Sequence, residues 1–399
     1  MSKAAQVSVF RIVMFAIGVA AVPGLGAAQT RTPIVSSIDA YVGSAPDVVT
    51  IAGREHLVYE LHVTNFRSSP ITLTRIEIVD AAKDVGLGNF SGAALSSRIG
   101  RPGVARDLAD RRVVDAGMRA VVYFWLPLEQ GHSRPSRVRH RISVEVDRAG
   151  KRVPVVVSAA EAEVRKERPL VLSAPLRGGP WAALYDPTLV GGHRTALYAV
   201  DGRARIPARF AIDFVRLNDD GTHARGDRNS IANWHGYGAD VLAVADATVV
   251  AARDDIAESP TLDGSESPIP LENVSGNCIV LDLGGGRYAF YEHLQHGSVR
   301  VKAGDRVNAG DVIARLGNSG SSSSGPHLHF HVADAAAELV GEGAPYAFAS
   351  FEAIGKFNDI DEFAAGRRWA PADSDAAGIR RAELPAPNSV ISFRDLTGT

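Results

Sequence analysis

Cysteine is almost missing from these 399 residues, with Cys278 the sole example. A single thiol excludes any disulfide within the chain and any Cys-based zinc site, so a metal would have to be held by His, Asp or Glu. Net charge is almost missing too. The 43 Lys and Arg against 45 Asp and Glu leave −2 at neutral pH, which gives no electrostatic reason to expect nucleic acid. Long apolar runs are scarce: Ile12 to Val22 is the one of note, and it falls short of the roughly 20 residues a spanning helix needs. What is present is an ordinary globular balance, 45% hydrophobic and 22% charged, in a chain long enough for two domains.

The apolar run follows Lys3 and Arg11, and Pro23 and Gly24 break it before the small residues Gly26, Ala27 and Ala28. That order of charge, short apolar core and small residues predicts a secretory signal peptide over 1–28. The mature protein is then expected to be secreted or periplasmic, with no stable membrane insertion after cleavage.

The rest reads as a mostly β protein in two parts. Over 33–166, short segments with period-two patterning, such as Leu57 to Val63 and Ile71 to Ile78, alternate with polar turns and predict an immunoglobulin-like β-sandwich. His56, His62, His132 and His140 show no metal-like spacing there and read as structural or exposed. A linker rich in Pro and Gly is expected over 167–187. A second strand-rich domain follows over 188–351, with strands at 209–215, 241–252, 277–282, 288–294, 312–316 and 327–332. Two polar insertions, 217–234 and 254–274, read as surface loops over a groove. Beyond 351, a helix-like piece precedes a loosely ordered tail, 352–399.

The stretch that carries chemistry is Gly325 to Val332, Gly-Pro-His-Leu-His-Phe-His-Val. On a strand, His327, His329 and His331 face one side and Leu328, Phe330 and Val332 the other. A row of imidazoles can bind a metal, perform acid–base chemistry, or both.

With this motif stand Arg209-Phe-Ala-Ile-Asp213, Asp240 to Val250, Tyr288-Ala-Phe-Tyr-Glu-His293-Leu, Val301 to Gly310 and Leu316-Gly-Asn-Ser-Gly320. In order and spacing, the span from about Gly191 to Ala333 resembles the lysostaphin-type (LytM-like) zinc metallopeptidases, which cut peptide cross-links of bacterial cell walls. The resemblance implies a β-rich catalytic domain, a Zn2+ cofactor, and peptidoglycan peptide stems as substrate. It makes Asp213 and His329 metal ligands and His293 and His327 catalytic histidines.

One position departs from the family pattern. Arg209 stands where the first histidine ligand is usual, and a guanidinium offers a metal no lone pair. His193 is the first choice for the missing ligand and His235 the alternative; His223 ranks last. His331 is expected behind His329, and His296 has no assigned role. On this reading Arg209 is turned away and its replacement is nearly silent. Were Arg209 instead to pair with Asp213, the chain would resemble non-catalytic relatives that bind and activate cell-wall amidases.

Overall fold

Alternation of apolar and polar residues becomes strand almost wherever the sequence carries it. The computed structural model describes residues 36–104, 108–129, 133–187, 192–264, 270–320 and 325–394. The expected signal peptide and His132 lie outside the described residues. Residues 37–399 form one unit.

The N-terminal part contains two five-stranded sheets. One runs in the order Ile38–Val42, Arg54–Asn65, Arg119–Pro127, Ile99–Gly100, with Asp47–Ile51 also paired to Arg54–Asn65. The other runs Lys151–Glu163, Arg137–Arg148, Ile71–Asp80, Val85–Ser91, with Val113–Val114 paired to Ile71–Asp80. Leu57, Leu61, Ile76, Phe124 and Val144 join both sheets in one apolar core, as period two requires. The opposite face of Arg54–Asn65 is covered as well. Val58 joins Val49 and Ile51 in the core of the C-terminal part, and Glu60 and His62 are buried beside it.

The C-terminal part is built on a twelve-stranded sheet. Its central path is Tyr346–Lys356, Ser389–Phe393, Gly178–Leu184, Ile212–Arg216, Leu328–Ala333, Tyr288–Leu294, Asn277–Asp282, Ala247–Arg253. Leu328, Phe330 and Val332 point into the main core with Phe214, Tyr291 and Phe348, the face their alternation assigns them.

Two expectations need correction here. The segment 167–187 is no simple linker: Leu170–Leu172 pairs with Tyr346–Lys356, and Gly178–Leu184 lies between two strands of the sheet. Pro180 disguises the second strand, because proline cannot donate to a ladder. It is accommodated where pairing with Ser389–Phe393 slips between Gly178 and Trp181. Nor is 352–399 a loose tail over its described length. After the short helix Ile360–Ala364, Gly378–Glu383 pairs with Tyr346–Lys356, and Ser389–Phe393 is buried at every residue.

Candidate functional site

Strand register assembles the site. Asp213 lies directly opposite His329, and His329 directly opposite Glu292 on its other neighbour. Directly paired residues share a face, so three ionisable side chains stand in a row across three strands. His329 Nδ1 is 2.9 Å from Asp213 Oδ1, and its Nε2 faces His331 Nδ1 at 3.1 Å. His331 in turn stacks on Phe290 with ring centroids 4.5 Å apart.

His193 arrives from outside the sheet, at the head of a short 3-10 turn, His193–Thr195. Its Nε2 is 3.3 Å from Asp213 Oδ2, and its ring meets His329 edge-on at 4.6 Å. Donor atoms of His193, Asp213 and His329 all lie within 4.8 Å of one another. Ligands held about 2.1 Å from one ion are that close, and two imidazoles with a carboxylate suit a catalytic centre with an open position. The residues therefore fit a divalent metal. Glu292, His329 and His331 form a second group of the same kind, fully buried.

The remaining imidazoles face the same place by different means. His327 precedes its strand, and its Nδ1 donates to the Gly325 carbonyl at 2.7 Å, leaving Nε2 3.6 Å from Asp213 Oδ1. His293 should point the wrong way, since Glu292 already takes the site-facing place on its strand. A backbone twist corrects it: φ is +61° at His293, and pairing with Asn277–Asp282 slips beside it. Such a bulge re-aims a side chain. The ring comes to 4.7 Å from that of His327, with Nδ1 donating to the Ser319 carbonyl at 2.8 Å.

Burial would raise the Asp213 pKa, but the neighbouring His193 and His327 and the hydrogen bond from His329 outweigh it and lower it. Burial pushes His193 down to about 4 despite Asp213, so its lone pair is free at neutral pH. Burial also drives His293 and His331 well below the usual imidazole value. At His329 burial is overcome by Glu292 and Asp213, which raise it.

The cluster opens into a groove of about 410 Å³, lined by Tyr185, Val215, Trp234, Leu262, Phe363 and Arg228 among others. Both polar insertions contribute to its wall, through Trp234 and Leu262.

Arg209 does not touch Asp213. Its guanidinium bonds Glu60 through Nε and Nη2 at 3.0–3.2 Å and Glu342 through Nη2 at 2.7 Å. It is turned away from Asp213, as expected, and is buried in an ion cluster. His235 belongs to neither group of potential ligands among the described residues. His223 lines the groove, packed on Trp234 at 4.5 Å. Sequence reasoning assigned nothing to Glu292 or Glu60; the first is signalled by its place beside His293, the second by nothing local.

Residues 232–340 match the model of Peptidase family M23. Endolysin 2638A of Staphylococcus phage 2638A is 32% identical over 93 residues, 23% of this chain and 16% of the endolysin. The matched part thus spans about a sixth of that relative. The catalytic domain of lysostaphin from Staphylococcus simulans is 20% identical, covering 42% of this chain and 88% of its own, with a TM-score of 0.22. The catalytic domain of the prophage-encoded M23 protein EnpA from Enterococcus faecalis is 16% identical, covering 45% and 92%, with a TM-score of 0.23. The M23 match includes His293, His327 and His329, so residues 232–340 are similar to Peptidase family M23 in the part that carries these histidines.

Proposed function

We propose that the protein is a zinc endopeptidase that hydrolyses peptide cross-links of bacterial peptidoglycan outside the cytoplasmic membrane. The observation that carries this reading is the convergence of His193, Asp213 and His329 beside two further imidazoles at the mouth of a groove. His193, Asp213 and His329 would hold the metal. When bound, zinc polarises a carbonyl and lowers the pKa of a neighbouring water to about 7.

The chain's own residues supply the rest. Because His293 and His327 spend Nδ1–H on backbone carbonyls, each keeps Nε2 as an acceptor, and His327 lines the groove. One would accept the proton of the attacking water and return it to the departing amine, and the other would orient that water by accepting from it at Nε2. The apolar wall of the groove holds the peptide and limits water.

The amidase-regulator alternative needed Arg209 to claim Asp213. Its engagement with Glu60 and Glu342 supports the enzyme reading instead. The deciding experiment is digestion of purified sacculi by zinc-loaded and chelated protein. New amino termini should accumulate only in the loaded sample; a loaded protein that releases none, yet stimulates an added amidase, would reverse the choice.

A further inference from the structure

Two of the three candidate ligands are placed by strand pairing, Asp213 and His329. His193 has no such support. Within its short turn Thr195 N donates to Gly192 O and Ala196 N to His193 O, both local bonds. Two contacts reach beyond the turn: the Thr195 carbonyl accepts from Tyr123 Oη of the sandwich at 3.4 Å, and the Arg194 side chain makes the deeper one. Arg194 is 3% exposed and points into the N-terminal sandwich. There its Nη2 donates to the carbonyls of Tyr59 and Phe124 at 3.3 and 2.6 Å, and its guanidinium lies 5.1 Å from the centre of the Trp125 ring.

At the bottom of that cleft is Glu60, 2% exposed, on the sandwich strand Arg54–Asn65. Glu60 Oε1 is 3.3 Å from Arg194 Nη2, while Oε2 takes Arg209 Nη2 at 3.0 Å. One carboxylate thus grips two arginines, one residue after His193 and four before Asp213. Burial disfavours its charge, but Arg209 and Arg194 together hold its pKa below the usual value. A buried carboxylate between two guanidiniums has little freedom, since releasing either leaves an uncompensated charge.

We propose that Glu60 and Arg194 are positioning residues of the metal centre: the N-terminal sandwich, through them, sets His193 as the third ligand. This rests on the reading of His193, Asp213 and His329 as a metal site. The sandwich is then a built-in part of the centre rather than a separate binding module. Residues that orient a ligand from behind typically contribute 10–100-fold in metal affinity.

The test uses the full chain, with zinc affinity measured by competition against a chromophoric chelator and ligand number read from the d–d band of the cobalt form. Glu60→Gln and Arg194→Met should each weaken zinc about 10–100-fold and alter the cobalt band as His193→Ala does. Arg194→Met combined with His193→Ala should lose no more than His193→Ala alone, since both act through one ligand. Glu60→Asp, which keeps the charge, should regain part of the loss. Should Glu60→Gln fail to fold, Arg194→Met carries the test, because it leaves the Glu60–Arg209 pair intact. Wild-type affinity and spectrum in folded Arg194→Met, or a loss that adds fully to that of His193→Ala, overturns the proposal. A wild-type chain that binds neither zinc nor cobalt instead removes the metal site itself, and this inference with it.

Discussion

Trp234 lies so close over Gly325 that a β-carbon on the glycine would sit 2.2 Å from the indole. The same glycine has φ +90° and accepts the Nδ1–H of His327 through its carbonyl. Gly325→Ala should therefore destabilise the fold by about 1–3 kcal/mol and displace His327. The measurements are a denaturant midpoint and sacculus digestion. An alanine variant with unchanged stability and hydrolysis would show that neither contact matters.

Arg209 is expected to matter for stability rather than metal chemistry. Removing one partner of a buried ion cluster costs about 3–5 kcal/mol, so Arg209→Ala should lower the unfolding midpoint sharply by stranding Glu60 and Glu342. A shift no larger than that of an exposed arginine such as Arg152 contradicts it.

His293→Ala and His327→Ala should retain zinc while hydrolysis falls about 10²–10⁴-fold, the usual share of acid–base catalysis. Loss of zinc in either would make that residue a ligand, and full digestion by both would remove the catalytic assignment.

Chelation should lower the thermal midpoint of the loaded wild-type protein, because a ligand that binds only the folded chain stabilises it. The midpoints of Asp213→Ala and His329→Ala should not respond to chelator. Equal responses from these variants and the wild type would place the metal elsewhere.

Acid should weaken the fold through the sandwich. Burial lowers His62 and His140 to about 4, and each is at most 5% exposed. Between about pH 6.5 and 4 the unfolded chain binds protons that the folded chain refuses, so stability falls as pH falls. Each histidine contributes up to about 1.4 kcal/mol per pH unit in that window. Replacing His140 by Gln should flatten the slope measured by denaturation from pH 7 to 4.5, and an unchanged slope would exclude it as a source.

The strands Asn277–Asp282 and Tyr288–Leu294 were legible to the residue, because each is a short, largely apolar run bounded by turn residues. The imidazole row was legible through strict alternation of histidine with apolar residues over 327–332. Gly178–Leu184 was hidden by Pro180, and Ser389–Phe393 by the prolines around it, since local composition cannot report burial by distant strands. His293 defeats alternation through a left-handed backbone. The partner of Arg209 lies 149 residues away on another sheet, and no local pattern signals Glu60.

The strand beside Asp213 pairs on its other edge with Ser389–Phe393, and Tyr185 Oη reaches the Pro385 carbonyl across 200 residues of sequence. Contacts so distant make folding slow, since their loops must close before they repay anything. Until residues 389–393 are available, Gly178–Leu184 and Tyr346–Lys356 present open edges with no partner between them. The candidate metal centre is thus among the last features a growing chain can complete, and an incompletely synthesised copy carries the histidines without the sheet that aims them.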